Sequence, residues 1–199
     1  MLSVRSCSYR YPGADRWAFH DIDLSIFPGE IIYLRGRNGS GKSTLLKVIC
    51  RLLEPTQGRV VTDSDASPIY MDQAADQMLA FDLTVHEQLS AFRDGTSDRT
   101  ANDANQLRDF GLDLELRMNE FVGHLSGGQR QIVALMTIVG SGANILCLDE
   151  FLSALDTHSA AVAENVISAL VMTKKISVLA VSHSTSNLRF DREITLDAA

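Results

Sequence analysis

Gly36-Arg-Asn-Gly-Ser-Gly-Lys-Ser-Thr44 is the stretch whose reading decides the fold. It fits the pattern G-x-x-x-x-G-K-[ST], with Gly36, Gly41, Lys42 and Ser43 at the fixed positions. The apolar run Ile31-Ile-Tyr-Leu34 precedes it and Leu45-Leu-Lys-Val-Ile49 follows, so the loop joins a buried strand to a helix. Glycines let consecutive backbone N–H groups turn inward around phosphate oxygens, where a side chain would block the concave surface. The loop from Gly36 through Asn38, Gly39, Ser40 and Gly41 to Thr44 is therefore expected to hold a nucleotide phosphate. The helix that follows aims its positive end at the same anion. Lys42 is expected to reach the β- and γ-phosphates, and the Ser43 hydroxyl to ligate Mg²⁺.

Composition narrows the class. The 199 residues fit one domain and are 45% hydrophobic, enough for a full core. A net charge of −7 and a pI of about 5.1 argue against a general nucleic-acid binder. No apolar run approaches the ~18 residues of a membrane span; the longest covers residues 132–140. Residues 1–6 carry no apolar signal-peptide core. Cys7, Cys50 and Cys147 are far apart in the chain and read as reduced core thiols of a cytosolic protein. The five histidines show no metal-ligand spacing.

Two alternating segments, residues 2–9 and 17–27, read as half-buried antiparallel strands ahead of an α/β unit. The helix from Ser43 carries Leu45, Leu46, Ile49, Leu52 and Leu53 on one side and is expected to stop at Glu54-Pro55. Short strands are expected at 58–61 and 68–71. Val85, Leu89 and Phe92, then Leu107 and Phe110, repeat at helical spacing. Residues 76–124 thus read as a helical lobe inserted into a core made of 1–75 and 125–199, the whole forming one domain. Beyond the lobe come a helix at 127–139, a buried strand at 144–148, a helix at 156–173, a strand at 176–181 and a weak strand at 193–196. Such alternation implies a mostly parallel sheet with ligands at the carboxyl ends of its strands.

Chemistry-bearing residues gather at those ends. Asp149 and Glu150 close an apolar strand, where two carboxylates are costly without a cation. Asp149 is expected to hold Mg²⁺ and Glu150 to polarise the attacking water. His183 ends the next strand, beside the expected γ-phosphate; Gln73 follows the strand 69–71. In Leu125-Ser-Gly-Gly-Gln129, Ser126 and Gln129 fit a capping box. Gly127 and Gly128 are costly in a first helical turn and point to something that approaches the backbone closely. Bare N–H groups there form a second anion site, and a homodimer in which each site completes the other would use both.

The stretches 36–44, Gln73, 125–129, 145–150, 153–156 and His183 follow the order and spacing of an ATP-binding cassette (ABC) ATPase, which the chain resembles from about residue 2 to 197. They match, in turn, the Walker A loop, Q-loop, LSGGQ signature, Walker B strand, D-loop and H-loop. The resemblance implies an α/β P-loop NTPase core with a small antiparallel N-terminal sheet and the inserted lobe. It implies ATP and Mg²⁺ as cofactors, with Gln73 a further metal ligand, and Lys42, Gln73, Glu150 and His183 as the catalytic set. It also implies a head-to-tail dimer holding two ATP, each between one chain's phosphate loop and the other's Ser126–Gln129 and Asp156. Tyr11 fits the adenine-stacking aromatic, with Tyr9 and Trp17 as neighbouring competitors. Leu83-Thr-Val-His-Glu-Gln-Leu89 is similar to transporter cassettes, so the expected function is ATP-driven transport through a separate membrane subunit, from the cytoplasmic face of the membrane. The alternative is a non-transport ABC ATPase of DNA repair, chromosome or translation. Phe151 stands where the family usually has proline, 135–139 replaces its usual Ala-Arg-Ala region, and no regulatory C-terminal domain is expected after His183.

Overall fold

The computed structural model describes residues 1–91, 117–181 and 188–197. Its centre is a five-stranded sheet. The strands are β3 (Ile31–Arg35), β5 (Pro68–Met71), β6 (Ile145–Asp149), β7 (Ser177–Val181) and β8 (Arg192–Thr195), in the order β5-β6-β7-β3-β8. Every neighbouring pair is parallel. A second sheet, β2-β1-β4, is antiparallel and uses β1 (Leu2–Tyr9), β2 (Phe19–Ile26) and β4 (Gln57–Thr62).

Unbroken apolar strands need cover on both faces. Helix α1 (Lys42–Ile49) fills one side. Its Leu45, Leu46, Val48 and Ile49 join Cys147 and Leu179 of the parallel sheet to Phe19 and Leu24 of the antiparallel one. The other face is closed by α3 (Gly127–Gly140) and α4 (Thr157–Lys174). There Ile132 and Leu135 meet Val166, Ile167 and Leu170 over Leu146, Leu148 and Val178. Alternate residues of β6 thus enter opposite cores, as a period of two requires. The short α2 (Val85–Ala91) is held by a Thr84–Glu87 capping box and buries Val85 and Leu89 against the same core as α3. Phe92, Leu107 and Phe110 lie outside the described residues, as does most of the expected lobe.

One expectation needs correction. The first helix ends at Ile49, well before Pro55. Arg51 takes a left-handed φ of 57°, and the Leu52 and Arg51 N–H groups donate to the Lys47 and Val48 carbonyls at 2.9 and 3.0 Å. That is a Schellman stop, and it turns Leu52 out to 60% exposure instead of into the core. The cysteines, far apart in sequence, are not all apart in space. Cys147 on β6 has Cys50, at the end of α1, as a neighbour, and this neighbour and burial hold its thiol well above the ordinary range.

Phe151 opens a short 3₁₀ turn (Phe151–Ala154) after Glu150, whose φ is 53°. Its ring is 1% exposed and packs in the core with α3 and α4. Phe151→Ala is expected to lower stability by about 3–5 kcal/mol, because the ring would leave a cavity under the strand end. Urea unfolding followed by circular dichroism checks this.

Candidate functional site

Parallel alignment sets the ends of β3 and β6 at one edge, with β7 between them. A cleft of about 470 Å³ opens there, lined by Tyr11, Ala18, Asn38, Gly39, Lys42, Ser43, Thr44 and Glu150, with Gly41. The α1 N-terminus carries no side-chain cap, so its first N–H groups are left for a ligand. Gly41 has φ +89°, and a Cβ there would strike the Ala18 carbonyl. Gly39 has φ +80° with open space where its Cβ would be. A phosphate fits such a concavity.

Gly36 and Ser40, both expected in the cradle, form its back. A Cβ on Gly36 would meet the Ser40 hydroxyl and the Leu196 carbonyl, and Ser40 is 1% exposed. Lys42 is buried, and its Nζ donates to the Gly36 and Arg37 carbonyls at 2.9 and 3.1 Å. The cation therefore rests on its own loop. Among the described residues it has no carboxylate partner, which suits an anionic ligand.

Beside this cleft lies another of about 400 Å³, lined by Ser43, Tyr70, Asp72, Gln73, Asp149 and Glu150, with Ala74. Asp149 is 7% exposed. Its Oδ2 accepts a hydrogen bond from the Tyr70 hydroxyl at 2.7 Å, while its Oδ1 is buried without a donor. A carboxylate oxygen so placed, in a cleft that Ser43 also lines, fits a hard divalent cation, which takes oxygen ligands. Burial, then the bond to Asp149, keeps the Tyr70 phenol protonated far above its ordinary range. Gln73 donates from Nε2 to Glu150 Oε2 at 3.1 Å and to Ser153 Oγ at 3.4 Å. Its own carbonyl accepts from Gln131 of α3 at 2.9 Å.

The three candidate aromatics separate cleanly. Tyr9 is buried on β1, and Trp17 lies under Arg10 and edge-on to His20, outside the cleft lining. Tyr11 is 45% exposed, lines the cleft and holds its hydroxyl 3.0 Å from Thr44 Oγ1. His183 lies outside the described residues.

Ser126, Gly127, Gly128, Gln129 and Asp156 line neither cleft. Ser126 caps α3: its Oγ accepts from Gln129 N at 3.3 Å, and its N–H donates to Gln129 Oε1 at 2.9 Å. Asp156 caps α4, accepting from the Ser159 hydroxyl and from the Ser159 and His158 N–H groups; these bonds, the hydroxyl first, lower its pKa. Gly128 is small because Ser159 presses on it, so the close approach comes from this chain's own α4. Gly127 has nothing nearer than an Arg130 nitrogen at 4.0 Å. Sequence reasoning missed Ala18, Tyr70, Asp72 and Ala74 as lining residues, since none falls in a motif.

Residues 19–153, which carry the phosphate loop, the second cleft and the α3 start, match the family described as ABC transporter. The chain belongs to that family. An ATP-dependent lipid A-core flippase of Alkalilimnicola ehrlichii is 33% identical over 219 residues, covering 100% of this chain and 36% of its own length. An energy-coupling factor transporter ATP-binding protein of Syntrophomonas wolfei is 29% identical, covering 99% of this chain and 77% of that protein. The structure of a dimeric bacterial ABC transporter cassette superposes with a TM-score of 0.78 at 25% identity, over 100% of this chain and 95% of the other. This ABC cassette thus spans about a third of the flippase and most of the energy-coupling protein.

In this cassette Gly128 joins the starts of α3 and α4. An alanine Cβ there would sit 2.6 Å from Ser159 Cβ. Gly128→Ala is expected to cost about 1–3 kcal/mol. Combined with Ser159→Gly, the loss is expected to fall short of the two single losses added together, as a double-mutant cycle of melting curves would show.

Proposed function

We propose that this chain is the ATP-binding and ATP-hydrolysing cassette of a transporter, acting as a head-to-tail dimer with two nucleotides at the interface. One observation carries the dimer. Within a single chain the phosphate cleft lacks Ser126–Gln129 and Asp156; Ser126 and Gln129 pair with each other, and Gly128 and Asp156 meet at Ser159. A second copy would bring its exposed Ser126 and Gly127 to the first copy's cleft. The dimeric cassette that shares the fold supports this reading.

Roles follow from position. Loop N–H groups from 38–44 and the Lys42 ammonium hold the phosphates. Tyr11 stacks on the base. Ser43, Asp149 and Gln73 would hold Mg²⁺, which would supply positive charge beside the phosphate oxygens. Glu150 accepts a hydrogen bond from the attacking water, and Gln73, already on the Glu150 carboxylate, keeps it in place. His183 is assigned to the γ-phosphate by its place after β7. The unit 76–124 is assigned as a lobe that moves with Gln73, whose backbone is tied to α3 by Gln131.

A membrane-spanning subunit is the proposed partner, with the cassette on its cytoplasmic face. Among the described residues no helix is long and apolar enough to cross a membrane. The named relatives are a flippase and a transporter ATP-binding protein, which supports transport over a repair, chromosome or translation role. Val85 and Leu89 of α2 are core. Phe81 and Phe121 stay 49% and 47% exposed on segments joined by the Gly123 N–H to Phe81 carbonyl bond. They form the proposed seat for a partner helix.

Glu150→Gln is expected to bind Mg-ATP and elute as a dimer while turnover drops ~100-fold or more. Lys42→Ala is expected to stay folded and lose ATP binding. Size-exclusion chromatography with and without ATP, alongside phosphate release, decides. A Glu150→Gln chain that stays monomeric in ATP and turns over at the wild-type rate sinks the dimer reading. Phe81→Glu is expected to keep basal turnover and lose the membrane subunit on purification from detergent-solubilised membranes; retention of an intact complex places the partner elsewhere.

A further inference from the structure

Tyr70 belongs to no motif and sits on β5, the edge strand of the parallel sheet, paired in register with Cys147 of β6. Its ring packs beside α1, and Lys47 in the last turn of α1 places Nζ 5.4 Å from the ring centroid. Its hydroxyl reaches along β6 to that strand's last residue, Asp149, at Oδ2 2.7 Å away. The phenol therefore spans from the helix that follows the phosphate loop to the carboxylate that ends the neighbouring strand.

The state of that carboxylate makes the contact more than a tie. Asp149 is 7% exposed, and Oδ1 has no donor. Leaving a buried carboxylate oxygen unpaired is costly, and a cation offsets the cost. Were both oxygens satisfied by protein donors, the group would be a structural carboxylate with little reason to take a metal. Were neither satisfied, the side chain would be free to rotate. One strong donor on one oxygen fixes the carboxylate plane and leaves the other oxygen in demand. The Lys47 cation over the ring holds the phenol in place and polarises it toward donation.

We propose that Tyr70 is a positioning residue for the divalent cation, acting through Asp149: its hydroxyl orients the carboxylate and reserves Oδ1 for the metal or the metal's water. The inference rests on the nucleotide reading of the site above. It assigns Tyr70 no contact with nucleotide or with reacting atoms. Outer donors of this kind usually matter 10–100-fold for metal affinity.

The test is a Mg²⁺ titration read by binding of a fluorescent ATP analogue, with EDTA as the metal-free reference. It compares the full chain with Tyr70→Phe, Asp149→Asn and the double variant. Tyr70→Phe removes one oxygen and keeps the ring beside Lys47, and a melting curve checks its fold. In EDTA it is expected to bind the analogue as the unaltered chain does. The Mg²⁺ concentration for half-maximal enhancement is expected to rise ~10-fold. Asp149→Asn is expected to remove the Mg²⁺ enhancement, and adding Tyr70→Phe to it is expected to change nothing further. An unshifted Mg²⁺ midpoint in Tyr70→Phe, or a further loss in the double variant, overturns the proposal. A shift in melting temperature or EDTA affinity alone would make Tyr70 a structural tie and overturn it too. If the unaltered chain shows no Mg²⁺ enhancement, the nucleotide reading itself fails, and that outcome is visible without any variant.

Discussion

The shared direction of β3, β7 and β6 is the constraint on which the site depends. Two inter-strand steps, about 10 Å, separate β3 from β6. That distance can be bridged by a phosphate chain with its cation only if both strands end at the same edge. A reversed β6 would carry Asp149 about 17 Å away, to the far edge of the sheet, because a strand of five residues is that long. Parallel order in turn demands crossovers, and the crossovers supply α1, α3 and α4 as cover for both faces. Core and chemistry therefore have one cause. The same apolar runs that drive burial also deliver Gly36 and Asp149 to the sheet edge.

At that edge the protein keeps two unbalanced groups apart. Lys42 is a buried cation solvated by carbonyls, and Asp149 is a buried carboxylate with one oxygen served. They belong to different elements. The site is thus divided into a cationic half that suits phosphate oxygens and an anionic half that suits a metal, with Ser43 shared by both clefts. Glu150 borders both halves, in a left-handed backbone conformation and with its N–H fixed to the Val181 carbonyl of β7.

Much of this was legible in the chain. The runs at 31–34, 145–148 and 177–181 could be read as buried strands because β-branched and aliphatic residues continue without polar alternation. The end of α1 could not. Its stop relies on Arg51 in a left-handed conformation where glycine would have announced it, so Leu52 kept a helical period that the backbone had already left. Gly128 signalled a close approach, but its neighbour Ser159 lies on a different helix and no local pattern names it. Among Tyr9, Tyr11 and Trp17 the choice turned on which residue the register of β1 faces inward, and that needs the partner strand Phe19–Ile26. Tyr70 carried no signal, since an aromatic on a half-buried strand is ordinary until its hydroxyl has a partner.

The resting place of Lys42 has a consequence for turnover. Two carbonyl oxygens of its own loop already solvate the ammonium. Arrival of a phosphate is then an exchange of oxygen for oxygen, and departure restores the earlier pair instead of stranding a bare charge in a low-dielectric wall. Such a loop gives up part of its grip, because its own carbonyl oxygens compete with an anion for the ammonium. A cycle that must release its product as readily as it captures its fuel is served by that symmetry of states.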